Sequence, residues 1–158
     1  MDCRKFVITL ISATDLENVR VLGKMKVHAR VSLSGGGAAN GIEKRSPTDK
    51  HGETNPAWNY TMRFAISESM LENCNTMLVV KLYCKRKLGD RYVGEIHTPV
   101  KELFDFARSS GGSAVVCFPV QKGCVNSQGM LRFSYKFGER ITIDELLLAE
   151  SIAGLNLA

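Results

Sequence analysis

Four cations crowd one short stretch of this chain. Lys85, Arg86, Lys87 and Arg91 lie within eight residues, against the single acid Asp90, for a local charge of +3. None of them has a neighbouring base or acid placed for nucleophilic or acid–base work, so the chemistry they offer is attraction of anions. A second stretch, residues 14–28, sets Arg20, Lys24 and Lys26 against Asp15 and Glu17, for +1. The two stretches together hold +4 of the chain's net +5. Three readings are open for such runs: ordinary solvated loops, a surface for anionic lipid, or a dock for an acidic protein. A looser basic group, Lys44, Arg45, Lys50, His51 and Arg63, is interleaved with Glu43, Asp49 and Glu53, which dilutes it.

Other chemistries find little support. There is no His-Glu-x-x-His, no Gly-x-Ser-x-Gly and no Cys–His arrangement with suggestive context, so an enzyme is not expected. The five cysteines (Cys3, Cys74, Cys84, Cys117, Cys124) are odd in number and form no Cys-x-x-Cys pair. With histidines only at 28, 51 and 97, a zinc site is not expected, and free thiols in a reducing cytosol are. Ser34–Gly41 is rich in glycine but has neither the following helix nor the lysine of a phosphate-binding loop. Arg132–Phe137 interleaves bases with aromatics, which strand alternation explains more simply than nucleic-acid binding. A net charge of +5 is too mild to imply a nucleic-acid partner.

The elements that position these loops read as strands. A chain of 158 residues with 44% hydrophobic and 23% charged content suits one globular domain with a proper core. The amino terminus has the look of a first strand rather than of a secretory signal, and no run approaches the ~18 apolar residues of a membrane span. Alternation predicts strands over 4–11, 27–33, 42–48, 58–66, 77–83, 92–98, 114–120 and 130–137. Pro47 suggests that the third lies at an edge, and the near-continuous apolar run 77–83 suggests that the fifth is central. Residues 100–107 predict a short helix with Leu103 and Phe104 packed inward, and Trp58 is expected in the core. Many short strands with few helices predict an all-β antiparallel sandwich of eight strands over residues 1–140.

After Arg140 the composition changes. Thr142-Ile-Asp-Glu145 resembles a helix-capping box and leads into an apolar stripe. Residues 141–158 are therefore read as a short amphipathic C-terminal helix, with Leu147, Leu148, Ile152 and Leu155 docking on the sandwich or on a partner.

Asn55-Pro-Ala-Trp-Asn59 leads into Tyr60-Thr-Met-Arg-Phe64, and Leu78–Leu82 and Tyr92-Val-Gly-Glu-Ile96 follow. Together with Gly23-Lys-Met-Lys-Val-His-Ala29, these segments resemble the C2 domain, most closely the small plant C2 proteins named for soybean genes regulated by cold. The resemblance covers residues 4–138. It implies a C2-type β-sandwich whose rim loops meet membranes at the cytosolic face, in stress or defence signalling. It also implies a calcium site built from about five aspartates on two loops. Here Asp15 matches the aspartate that opens the set, but Lys26 stands at the second position. Tyr83–Asp90 carries no acid until Asp90 itself. Two acids facing several cations do not make a calcium site, so no cofactor is expected.

The expected function is a non-enzymatic module, cytoplasmic and peripheral. It would bind anionic phospholipid without calcium through Lys24, Lys26, Lys85, Arg86, Lys87 and Arg91. Lys44, Arg45, Lys50 and Arg63 form a secondary face, and Leu88 and Tyr92 are the apolar candidates for shallow insertion. The alternative is a protein-binding adaptor using the same loops.

Overall fold

Residues 2–35 and 42–142 are described by the structure, a computed structural model. Most of the glycine-rich stretch and the predicted C-terminal helix, with Leu147, Leu148, Ile152 and Leu155, therefore lie outside the described residues. The strands are β1 (Asp2–Thr14), β2 (Val27–Ser34), β3 (Lys44–Arg45), β4 (Ala57–Ser67), β5 (Met77–Cys84), β6 (Arg91–Pro99), β7 (Ser113–Lys122), β8 (Val125–Phe137) and β9 (Ile141–Thr142). Two short helices join them, α1 (Glu68–Glu72) and α2 (Val100–Arg108).

Hydrogen bonding runs in the order β3-β2-β5-β6-β7-β8-β1-β4, with β9 beside β1. Every named pairing is antiparallel. The link between β6 and β7 is thin, a single pair of Glu95 opposite Gln121. The path turns over there, and two four-stranded halves share one core. Val27, Ala29 and Val31 of β2 and Leu78, Val80 and Leu82 of β5 belong to the same buried cluster as Phe6, Ile8 and Leu10 of β1 and Leu131 and Phe133 of β8. Each Val, Leu, Ile or Phe among them contributes about 1.5–3 kcal/mol by leaving water, so period-two alternation on both halves is what drives closure. As the sequence suggests, β5 sits inside its half and β3 at an edge.

Three details differ from expectation. The third strand shrinks from seven residues to two, Lys44 and Arg45, because beyond them the ladder breaks into one Ser46 amide bond to the Ala29 carbonyl and an isolated pair of bonds exchanged by Asp49 and Val27. Helix α1 is an additional element, capped by the Ser67 hydroxyl accepting from the Met70 amide at 3.2 Å. Its five residues are too few to show a period. Strand β9 takes Ile141 and Thr142 into the sheet opposite Cys3 and Asp2, two residues that the sequence assigns to the tail.

Helix α2 buries Val100, Leu103 and Ala107 at helical spacing, while Phe104 is half-buried. The buried Tyr135 hydroxyl donates to the Leu103 carbonyl at 2.7 Å, which fixes the helix on the sandwich. Gly94, in the Tyr92–Ile96 motif, has no room for a side chain: a Cβ there would lie 2.5 Å from Val120 Cγ1. The motif thus marks the crossing from β6 to β7.

Candidate functional site: a cationic loop rim

Strand direction gathers four connections at one end of the sandwich: residues 15–26, 46–56, 85–90 and the tight turn at 123–124. The two basic stretches meet at their base. Val27 pairs with Cys84, and the Lys85 amide donates to the Lys26 carbonyl at 2.8 Å. Lys24, Lys26, Lys85, Arg86, Lys87 and Arg91 are all exposed. Among the described residues none of the six forms an ion pair. The structure thus brings together every residue of the predicted primary set.

The loops are shaped by local bonds. Arg20 bends back so that Nε donates to the Leu22 carbonyl at 2.6 Å and Nη1 to the Lys24 carbonyl at 2.9 Å. Gly23 turns at φ +83°, and Met25 is buried beneath, its sulfur accepting from the Val19 amide. This clasp pushes Val21 and Leu22 outward, 90% and 82% exposed. Leu88, in the other basic loop, is 97% exposed, and Val125, the first residue of β8, is 70% exposed.

Asp49 supports the rim from beneath. Its carboxylate accepts from the amides of His51, Gly52 and Ala57 at 2.9–3.2 Å. Burial pushes its pKa up, but these three amides outweigh it and hold the carboxyl below the usual range. The Asn55–Asn59 motif completes the scaffold. Asn55 Oδ1 accepts from the Asp15 amide at 2.9 Å, Pro56 O from Ala13 N, and Trp58 Nε1 donates to Val27 O at 3.0 Å. Trp58 is half-buried rather than central, because its indole N–H bridges the two halves at their rim.

Two of the acids at this end, Glu17 and Asp90, are already engaged. Glu17 pairs with Lys122 at 2.9 Å, and the Lys122 hydrogen bond holds its carboxyl below the ordinary value. Asp90 turns away onto Arg30 at 2.7 Å, with His28 Nε2 at 3.7 Å. Arg30 lies over the Tyr83 ring at 3.8 Å and donates to His28 Nε2 at 3.1 Å. His28 is buried, its Nδ1 has no hydrogen-bond partner among the described residues, and burial followed by Arg30 pushes its pKa down.

These residues do not fit a calcium ion. Asp15 is exposed on one loop, Asp90 is held by a guanidinium, and Lys26 and Lys85 are neighbours where carboxylates would be needed. Among the described residues no group of three His, Cys, Asp or Glu side chains is placed to hold a metal.

The secondary set is brought together only in part, through the contact of Lys44 with the Arg63 carbonyl. Lys44 and Arg45 lie on the edge strand β3, Lys50 in the 46–56 loop, and Arg63 on β4 of the other half. Lys44 crosses to the Arg63 carbonyl and lies 4.9 Å from the Phe64 ring centre, while Arg45 pairs with Glu43 at 3.3 Å. Tyr92 also departs from expectation. It is half-buried, donates to Glu95 and packs edge-on against Tyr83 at 5.8 Å, so it is not an insertion residue. Burial, then Glu95, raises its pKa. The apolar tips missed from the sequence are Val21, Leu22 and Val125. Nothing in their period signals exposure, although their place in turns between alternating strands could have flagged them.

With this geometry in view, the chain matches the C2 domain over residues 4–115 and belongs to that family. It is 37% identical to Protein SRC2 of Glycine max over 146 residues, covering 89% of this chain and 48% of that protein. It is 33% identical to the Protein SRC2 homolog of Arabidopsis thaliana over 143 residues, covering 90% of this chain and 43% of the relative. The chain thus spans about half the length of the curated relatives it matches. A solved C2 domain of plant Extended Synaptotagmin 1 superposes with a TM-score of 0.68 at 16% identity, covering 87% of this chain and 95% of that one. At that identity the likeness is one of fold. No helix among the described residues is long and apolar enough to cross a membrane.

Proposed function

We propose that this C2 domain is a non-catalytic module that attaches to anionic phospholipid surfaces through its loop rim, without calcium. The supporting observation is the joining of two exposed basic loops at the Lys26–Lys85 backbone bond, with the nearby acids Glu17 and Asp90 committed to Lys122 and Arg30. Each base near an anionic surface contributes about 1 kcal/mol, so Lys85, Arg86, Lys87 and Arg91 supply ~3–4 kcal/mol, enough for reversible attachment. Val21, Leu22 and Leu88 add shallow apolar contact at the same rim. The cations are permanent, so no metal is needed to create the attraction. The soybean and Arabidopsis relatives and the fold of a plant synaptotagmin-type C2 domain support a setting at the cytosolic face of plant membranes. The resemblance to proteins named for cold regulation supports a role in stress or defence signalling.

Co-sedimentation separates this reading from its rival. The protein is expected to pellet with phosphatidylserine-containing vesicles at low salt, equally in micromolar calcium and in chelator, and to stay in solution with neutral vesicles. Binding should weaken steeply with salt. Indifference to anionic vesicles at low salt overturns the lipid reading in favour of an adaptor that holds an acidic protein.

A further inference from the structure

The half built from β7, β8, β1 and β4 turns a second basic surface to solvent, along its flank rather than at a pole. Strand register sets Val7 between Arg63 of β4 and Lys136 of β8. Alternation turns Lys5 of β1 and Arg132 of β8 to the same side. In the next row Thr9 lies between Thr61 and Ser134, and Val115 of β7, 55% exposed, lies beyond Ser134. The Thr9 and Thr61 hydroxyls share a hydrogen bond at 2.8 Å. An open groove of about 560 Å³ runs over these two rows. Arg63, Arg132 and Lys136 are exposed and Lys5 is half-buried. Among the described residues none of the four forms an ion pair.

The strands supply this face with no counter-charge. Strands β4, β7 and β8 contain no acid, and the one acid of β1, Asp2, lies at its start beside Arg140 at 3.9 Å. Neighbouring acids bound the face without entering it. Asp15 follows β1 at the rim, and Glu139 stands past β8 at the other end. Glu68, past the end of β4, takes Arg4 and Arg140, and Glu43 takes Arg45.

We propose that this face docks an extended acidic segment of another protein. Arg132 and Lys136 stand four residues apart on β8, about 13 Å at the usual rise of a strand. Acidic side chains four residues apart on an extended segment share that spacing and one face, so a segment laid along β8 sets a carboxylate on each base. The residue midway between them falls over Ser134 and Val115, and Arg63 and Lys5 flank the second acid from across Val7. Charge complementarity of this kind sets encounter rate and specificity more than raw affinity, so the contact is a reversible one. A bilayer is the poorer match: the exposed apolar tips Val21, Leu22 and Leu88 stand on the rim, and this face lies side-on to a membrane that the rim touches. Docking here therefore leaves the rim free, and it does not rest on the lipid reading of the rim.

Amide NMR of the full chain, titrated at low salt and without vesicles, tests this. The probe is a synthetic peptide of the repeat Glu-Ser-Val-Ser-Glu, whose acids fall four residues apart. Shifts are expected at the amides of Thr9, Thr61, Ser134 and Val115, and they should persist when Lys85, Arg86 and Lys87 are reversed to Glu. Arg63→Glu with Lys136→Glu should weaken peptide binding by at least ~10-fold, as two attractions become repulsions, while binding to phosphatidylserine vesicles changes by less than ~2-fold. Arg63→Gln with Lys136→Gln removes the charges with less disturbance and should weaken the peptide in the same direction, so the test survives a failure of the first pair to fold. Shifts confined to residues 15–26 and 85–90 overturn the proposal, as does peptide binding that ignores both pairs of substitutions. Vesicle binding that falls with the first pair as far as with the rim reversal overturns it in favour of a second membrane surface. Shifts at these amides that grow with protein concentration alone overturn it in favour of a second copy.

Discussion

The two poles of the sandwich use the same residue types to opposite ends. At the rim, Lys24, Lys26, Lys85, Arg86 and Lys87 stand exposed without ion pairs among the described residues, and Val21, Leu22 and Leu88 project beside them. At the helix pole, Arg4 and Arg140 share Glu68, Lys101 reaches Asp105 at 3.6 Å, and the guanidiniums of Arg4 and Arg108 rest on Phe104. Exposed pairs of the second kind contribute little beyond ~1 kcal/mol and cancel their own field. Unpaired cations of the first kind contribute nothing to stability, yet they project a potential outward. Net charge is thus a poor guide to this molecule, and the pairing of each charge is a good one.

The largest expected effect breaks the comparison at the rim. Charge reversal of Lys85, Arg86 and Lys87 together is expected to weaken binding to anionic vesicles by at least ~100-fold, since three attractions of about 1 kcal/mol each become repulsions. Thermal unfolding should show the fold intact, because none of the three is buried. Reversal of Lys44 and Arg45 should cost much less, as Lys44 is committed to the Arg63 carbonyl and Arg45 to Glu43. A triple variant that sediments like the parent protein would remove the rim from the lipid reading.

A smaller effect tests what holds the rim in shape. Asp49→Ala leaves the amides of His51, Gly52 and Ala57 without their acceptor. That should destabilise the domain by ~1–3 kcal/mol in denaturant titration. Asp49→Asn, which keeps one acceptor oxygen, should fall between. An unchanged midpoint for Asp49→Ala would mean that water replaces the carboxylate without cost.

How far the sequence foretold these features depends on the physics behind each. The strands were legible because alternation is the direct imprint of a two-sided sheet, and β5 and β3 took the central and edge places that their composition suggested. The primary basic set was legible because charge can be counted and the family resemblance placed both loops at one end. Val21 and Leu22 were not, since their exposure depends on Arg20 clasping two carbonyls of its own loop, an arrangement without a period. Asp49 read as a diluting acid in a basic stretch, whereas its role comes from three amides that a turn presents to it. Tyr92 read as an apolar companion to the cations, but the register shift between Leu82 and Tyr83 goes with a ring packed on Tyr83 and a hydroxyl bonded to Glu95.

The cluster of His28, Arg30, Tyr83 and Asp90 joins the rim to the strand beneath it, and it carries a pH dependence. Burial first, then Arg30, with Arg45 and Lys85 acting at longer range, outweigh Asp90, which lies 3.7 Å away and favours the charged ring, so the folded pKa of His28 lies below the ordinary 6.5. The unfolded chain therefore takes up this proton first as pH falls. Stability is full above about pH 6.5 and declines as pH drops towards the folded value, by no more than ~1.4 kcal/mol per pH unit for one proton. His28→Gln should flatten that part of the curve, leaving the carboxylate losses at lower pH, where Asp49 is protonated, as they were. Identical pH profiles for the two proteins between 7 and 5 would show that His28 titrates as freely folded as unfolded.

The smallest expected effect sharpens the contrast between the poles. Lys101→Glu with Arg140→Glu removes as much positive charge as reversing two rim residues, yet binding to anionic vesicles at physiological salt should change by less than ~2-fold. The reason is distance. Strand β1 runs thirteen residues between the poles, about 40 Å at the usual rise per residue. Screening at that salt acts over ~8 Å, so a charge at the helix pole is several screening lengths from a membrane that touches the rim. Lowering the salt to about 10 mM extends the screening length to ~30 Å, and there the same double reversal should begin to weaken binding. If it weakens binding strongly at physiological salt as well, the helix pole touches the membrane and the molecule lies on its side rather than standing on its loops.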